Sequence, residues 1–382
     1  MNKKILIISQ VIPQWYVDLL CAAFDKTDRI EFMTGSDITA EIIIKSPPHD
    51  PRSFLSRLKC WYRHYRFVKK WLKKNKKKHY DIIFAVSNPP INSFIGLKLK
   101  KRLQSKFIYM NWDLYPQVIE NTIKNPLVRI ICGLWHKWND VSYPKIDKML
   151  TIGNVMAESM KAPMKNKIDI GVIPVSVDTD RLKPIDKKEN PFCVQYGLTD
   201  KFVVLYSGKM GYGHNIEIIL QTSELLRKRS DIYFLFIGEG PKYHQVDEYI
   251  KNNSAENILL LPLQTEEKFP FSMASGDVGI VSQEEKAAKL FMPSKTYSML
   301  ACGMPVIGIS SPDDDLSRLL KSGETGYTVS GDSAEELAGI IEKLADDTEL
   351  LHKMKSSARA LAVEKYDTSV VVKQYREIFG QF

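Results

Sequence analysis

The feature that most limits what this chain can fold into is an alternation of short, strongly apolar runs with longer amphipathic segments. In the first half the runs are Lys4–Ser9, Tyr80–Ser87, Lys106–Trp112, Lys148–Ile152 and Asp169–Pro174. In the second they are 202–206, 232–237, 258–262, 278–282 and 305–309. Segments of helical period separate the second set, near 215–228, 241–251, 266–274, 294–302 and 314–321. Further helices are expected at about 333–346 and 348–364, with a last one from Thr368 to Phe379. Runs rich in Val, Ile and Leu on both faces belong to parallel strands, which are covered by helices above and below. The alternation therefore predicts an α/β chain of two doubly wound parallel sheets, and 382 residues suffice for two such domains. Pro174 to Asp180, with Pro184 and the charged stretch up to Pro191, reads as the linker between them.

Composition narrows the function. The net charge of +9 conceals an asymmetry: residues 1–173 hold 30 Lys and Arg against 14 Asp and Glu, and the remainder 24 against 31. One half is basic (+16) and the other mildly acidic (−7). Much of the excess sits between Phe54 and Lys78, where Leu58, Trp61, Tyr65, Val68 and Leu72 recur at helical spacing. The polar positions there are almost all Lys or Arg. A helix with an aromatic side and a dense cationic face suits an anionic membrane surface. The absence of an aromatic-basic RNA motif argues against nucleic acid. No apolar run reaches the ~18 residues that would span a bilayer. The basic start Lys3-Lys4 leads into an apolar run too short for a signal peptide, so a cytoplasmic location is expected. Five scattered cysteines without a CxxC pair fit reduced thiols, not a disulfide frame or a zinc site.

Candidate chemistry gathers where strands end. After the run 202–206 come Gly208, Lys209, Gly211, Gly213 and His214, and then Asn215 as a helix N-cap. Strand, glycine turn and capped helix present free backbone N–H groups to a phosphate. Ile237-Gly238-Glu239-Gly240-Pro241 sets a carboxylate between glycines at another strand end. In Pro293-Ser294-Lys295, Pro293 fixes the start of a helix, Ser294 is a suitable cap and Lys295 adds a cation to the first turn. A lysine there opposes the helix dipole, which an anionic ligand would explain. Asp313-Asp314-Asp315 follows the 305–309 strand and reads as a helix cap, not a metal motif.

Taken together, Val172-Ile173-Pro174-Val175-Ser176-Val177-Asp178, Tyr206-Ser207-Gly208-Lys209, Gly238-Glu239-Gly240-Pro241 and Pro293-Ser294-Lys295 with Ala301 to Ile307 resemble the family-4 (group 1) retaining glycosyltransferases. The closest branch is the one that builds bacterial surface polysaccharides. The resemblance implies the GT-B fold, two Rossmann-like domains facing across a cleft. Residues 1–173 would hold the acceptor and face the membrane, and 174–365 would hold the nucleotide-sugar. The helix in 366–382 would cross back to the first domain. By position, Gly208, Lys209, His214, Ser294 and Lys295 match the loops at the donor diphosphate. Glu239 lies near the nucleoside, and Leu263 and Gln264 fall where the base is read. The family's paired glutamates would fall at Leu290 and Ser298, neither of them acidic; a neighbour such as Glu285 is the candidate substitute at the donor ribose.

In the first half, Asp113 lies at a strand end beside Trp112, and Asn88 at another. Asp113 is the candidate for orienting an acceptor hydroxyl, with Trp112 and Asn88 as acceptor contacts. The expected donor is a UDP- or GDP-sugar, with UDP favoured. The expected acceptor is a glycan or a polyprenyl-diphosphate-linked sugar, met at the inner membrane surface. Lys209 and Lys295 would stabilise the leaving diphosphate, and no cofactor or metal is expected. A nucleotide-sugar epimerase and a non-catalytic partner subunit remain the alternatives.

Overall fold

The computed structural model describes residues 2–50, 52–123, 125–164, 168–283 and 289–382. The chain divides into two compact units, Met1–Pro174 with Val371–Phe382, and Val175–Val370.

The first unit is built on a seven-stranded sheet in the order β3-β2-β1-β4-β5-β6-β7. The strands are β1 (Lys4–Ile8), β2 (Arg29–Thr34), β3 (Ile42–Lys45), β4 (Ile82–Val86), β5 (Lys106–Asn111), β6 (Lys148–Thr151) and β7 (Ile170–Val172). All pairings are parallel. Some elements here escape the apolar pattern. Gln14–Ala23 is a helix, and β2 is a strand despite Arg29 and Glu31 within it. Glu31 is buried because it is satisfied: Tyr80 Oη donates to it at 2.6 Å and Lys78 Nζ at 3.0 Å. A paired carboxylate can sit inside, which residue type alone does not announce.

The basic helix runs Phe54–Lys74, shorter than the expected 54–78. Asn75 ends it, donating from both its backbone N–H and its side chain to the carbonyl of Trp71. Lys76, Lys77 and Lys78 lie beyond the helix, and Lys78 is engaged with Glu31.

The second unit holds six parallel strands in the order β10-β9-β8-β11-β12-β13. They are β8 (Phe202–Lys209), β9 (Ile232–Glu239), β10 (Ile258–Pro262), β11 (Val278–Ser282), β12 (Val306–Ile309) and β13 (Gly326–Val329). β13 is a short, half-exposed edge strand and carries too little apolar pattern to be read from sequence. The winding direction reverses between β8 and β11. Ligands of such sheets bind outside the carboxyl ends of strands at that reversal.

The segment expected as a linker is packed onto the second unit. Arg359 donates to the carbonyls of Thr179 and Leu182 at 2.9 Å each, and Val177 N–H bonds to the carbonyl of Tyr366 at 2.8 Å. Pro191–Tyr196 is a short helix capped by Asn190.

Candidate functional site

At the β8/β11 reversal, the end of β8 lies against the end of β9 with Gly208 opposite Gly238. A Cβ on Gly238 would stand 1.9 Å from the carbonyl oxygen of Gly208, so no larger residue fits without moving backbone. Gly208 has φ +118° and Gly240 φ +126°, in the region that favours glycine. Together they form a strand end free of side-chain bulk.

Lys295 lies over this platform. The helix Lys295–Ala301 follows Pro293, whose carbonyl accepts from Thr296 N–H at 3.2 Å. Ser294 forms no cap: its backbone is already helical and its hydroxyl makes no capping bond, contrary to the sequence expectation. The Lys295 side chain passes within 3.5 Å of where a Gly208 Cβ would be, and its ammonium stands 4.1 Å from the ring centroid of Tyr206. That nitrogen is buried and has no hydrogen-bond partner among the described residues. Burial pulls it down to about 7. An ammonium removed from water and compensated by nothing except a ring face is unsatisfied. It is a desolvated ammonium suited to an anion or a lone pair.

Tyr206 is the floor. Its hydroxyl donates to the carbonyl of Lys209 at 2.9 Å and lies 2.5 Å from His214 Nδ1. Burial first, then the charges of Lys295, Lys242 and Lys209, push His214 down to about 4. His214 is thus neutral near pH 7 and the positive field belongs to the lysines. Lys242 is engaged with Glu217 at 2.9 Å and with the carbonyl of His214 at 2.7 Å. Lys209 is exposed, as is Glu239 opposite it in register. Tyr206 opens the Tyr206-Ser207-Gly208-Lys209 motif without a role assigned to it there, and Lys242 lies outside the motifs. Tyr206 reads in sequence as a core residue of an apolar strand, and Lys242 as a turn lysine.

Other expected residues gather less tightly. Leu263 is exposed, and Gln264 bonds locally to the carbonyl of Pro262 at 2.8 Å. Ser298 is half-buried on the Lys295–Ala301 helix, and Leu290 is buried. Glu285 lies outside the described residues. A cavity of about 470 Å³ opens beside His214, lined by Asn215, Glu217, Lys242, Ser310 and Asp332 among others. It borders the platform through His214, while Lys295, Gly208 and Glu239 do not line it. The buried Lys295 ammonium lies over the platform and not in this cavity.

The first unit has its own recessed carboxyl. Asp113 follows β5, and burial lifts it to about 6, well above an ordinary aspartate. Burial first, and then the nearby Asp113 charge, raise the Tyr115 phenol as well. Trp112 N–H donates to Ser87 Oγ at 3.0 Å, tying this loop to the end of β4, and its ring packs 4.9 Å from Tyr16. Asn88 accepts from Gln10 N–H at 2.7 Å through its carbonyl, closing the β1/β4 reversal. Its side chain is half-buried.

Residues 201–347 match the family described as Glycosyl transferases group 1. The chain is 23% identical over 272 residues to a probable glycosyltransferase WbjE of Pseudomonas aeruginosa, covering 70% of this chain and 66% of that one. It is 27% identical over 178 residues to a putative colanic acid biosynthesis glycosyl transferase WcaI of Escherichia coli K12, covering 46% and 42%. These matches span about half to two thirds of the relatives' length. Among solved structures, Anabaena HepE in complex with UDP aligns with a TM-score of 0.74 at 16% identity, covering all of both chains. WaaG, a glycosyltransferase involved in lipopolysaccharide biosynthesis, aligns at 0.68 and 13%, covering 99% of this chain and 100% of that one. The two parallel-sheet units are those of the GT-B fold. The match to the group 1 glycosyl transferases lies within the second unit, and its description is what that part of the chain is similar to.

Proposed function

We propose that the chain transfers a hexosyl group from a nucleotide diphosphate-sugar, a UDP-sugar first, to a glycan or lipid-linked acceptor of a bacterial surface polysaccharide. The observation that carries this reading is the Lys295 ammonium, buried, unpartnered and set over a glycine platform at a strand reversal. A diphosphate oxygen supplies the missing partner. As the bond from the anomeric carbon to the β-phosphate oxygen breaks, charge grows on that oxygen and Lys295 stabilises it. Lys209, exposed at the rim, adds a longer-range cation without a metal. Asp113, poised near 6, orients the acceptor hydroxyl, which attacks on the face the diphosphate leaves and so retains configuration. The basic helix holds the enzyme on the inner face of the membrane, where lipid-linked acceptors reside.

HepE, solved with UDP and with UDP-glucose, supports the choice of uridine. A non-catalytic partner subunit is the second reading, favoured by one observation: an apolar residue, Leu290, is buried at a position where the family resemblance implies an acid. Calorimetric titration with UDP and GDP, followed by product analysis from a panel of UDP-sugars, separates the readings. Binding of UDP with glycosyl transfer of retained configuration supports the enzyme. Binding without transfer to any acceptor supports the subunit, and no nucleotide binding at all overturns both.

A further inference from the structure

We infer that the helix Pro126–Ser142 is a membrane-inserting ridge, acting beside the basic helix and distinct from it. Asn125 caps it cleanly: its side chain accepts from Leu127 N–H at 2.9 Å, and Pro126 occupies the first helical position. Seventeen residues give a rod of roughly 25 Å. The rod has two apolar stripes, one residue out of phase. Val128, Cys132 and Trp135 face inward, where Cys132 joins Trp61 of the basic helix and Ile119 in one buried cluster. Leu127, Ile131, Leu134 and Val141, with Ile130 beside them, lie on the outward side and are 60–70% exposed.

Single exposed apolar residues are ordinary, but such a row on one helix is a surface that wants a cover. Its surroundings say which cover. Trp138 of this helix meets Phe94 at 5.8 Å, and Phe94 meets Tyr65 of the basic helix at 5.9 Å. The apolar ridge and the basic helix are therefore one continuous surface of the first unit. On the basic helix Leu55 and Tyr62 are also exposed, and Lys69, Lys70, Lys73 and Lys74 follow toward its C-terminus. Phe54–Lys74 contains no acidic residue.

A bilayer with anionic headgroups fits both halves at once. Hydrocarbon takes the aliphatic ridge, the interfacial layer takes Trp138 and Tyr62, and phosphate takes the lysines. A protein partner would have to set an acidic face and an apolar groove side by side in matching register. None of the described helices is long and apolar enough to cross a membrane, so the ridge lies in the plane of the interface. The inference rests on the membrane reading of the basic helix and not on glycosyl transfer.

The test needs no nucleotide. The full chain is co-sedimented with mixed phosphatidylglycerol–phosphatidylcholine vesicles, and its tryptophan fluorescence is read with acyl chains brominated near the interface. Binding and quenching are expected, with the quenching reduced in Trp138→Phe. Ile131→Asp with Leu134→Asp should lose the quenching and weaken binding by about tenfold or more. Lys69→Glu, Lys70→Glu and Lys73→Glu together should abolish binding to the anionic vesicles. Wild-type binding without quenching, unchanged in the double aspartate variant, would overturn the ridge while leaving an electrostatic membrane contact. Lipid-free dimers that the aspartates dissociate, with no vesicle binding, would overturn it in favour of self-association. UDP affinity, measured on the same preparations, should stay within about twofold throughout, which keeps failure here separate from failure of the donor reading.

Discussion

At the residue scale the protein turns on one lysine. Lys295 titrates near 7 instead of at its ordinary 10.5 because burial disfavours its charged form. Below pH 7 the folded protein bears the full cost of the desolvated charge. That cost declines as pH rises from 7 toward 10.5, where the unfolded chain loses the proton too. Lys295→Met should therefore raise stability, by about 1–3 kcal/mol at pH 7 in chemical denaturation, because an unpaired buried cation is replaced by a fitted apolar chain. The same substitution should weaken UDP by about tenfold to a hundredfold, the worth of a charged hydrogen bond. A variant both less stable and as tight for UDP would show that the ammonium has no anion to serve. The pH dependence follows the same sign. A diphosphate prefers the charged lysine, so UDP affinity should be level below pH 7 and fall above it. Binding at pH 8 should take up a proton, seen as a buffer-dependent enthalpy. His214, near 4, should contribute no titration in this range.

At the scale of elements, two strand ends must touch for that lysine to be placed. Gly238 lets β9 approach β8 where a Cβ would meet the Gly208 carbonyl at 1.9 Å. Gly238→Ala should cost about 2–4 kcal/mol in urea denaturation and weaken UDP as the platform shifts. Wild-type stability would mean that the two strands do not pair as closely as described. Much of this was legible in the sequence: the glycine turn, the Asn215 cap and the Pro293-Ser294-Lys295 motif all stand at strand ends, as their spacing implies. The inward course of Lys295 was not, because it depends on Gly208, a residue far away in the chain. Tyr206 was hidden for the same reason: a tyrosine in an apolar run looks like core, and here it is both core and the floor under a cation. β2 escaped notice because Glu31 interrupts its pattern, and only the fold supplies Tyr80 and Lys78 to satisfy it. In the Pro126–Ser142 helix apolar residues stand on two sides, and which stripe faces inward is settled by packing.

At the scale of the whole molecule, the chain returns to where it began. The helix Thr368–Gly380 starts in the second unit and continues into the first, so that the last residues complete a core whose other parts come from the N-terminus. Phe379 stacks on Phe24 at 4.2 Å and meets Phe84 at 5.4 Å, and Tyr375 Oη lies 2.8 Å from Tyr16 Oη in a buried pair. Phe84 sits on β4, at the centre of the first sheet, so this packing is not peripheral. Phe379→Ala leaves a void there that only partial collapse can fill, and should cost the first unit about 3–5 kcal/mol. The donor platform is built entirely from residues of the second unit, so its affinity for UDP should survive. Thermal unfolding of the variant should therefore split, with an early transition indifferent to UDP and a later one that UDP raises. A single transition, lowered as a whole and still shifted by UDP, would show that the two units unfold together and that the returning helix stabilises both.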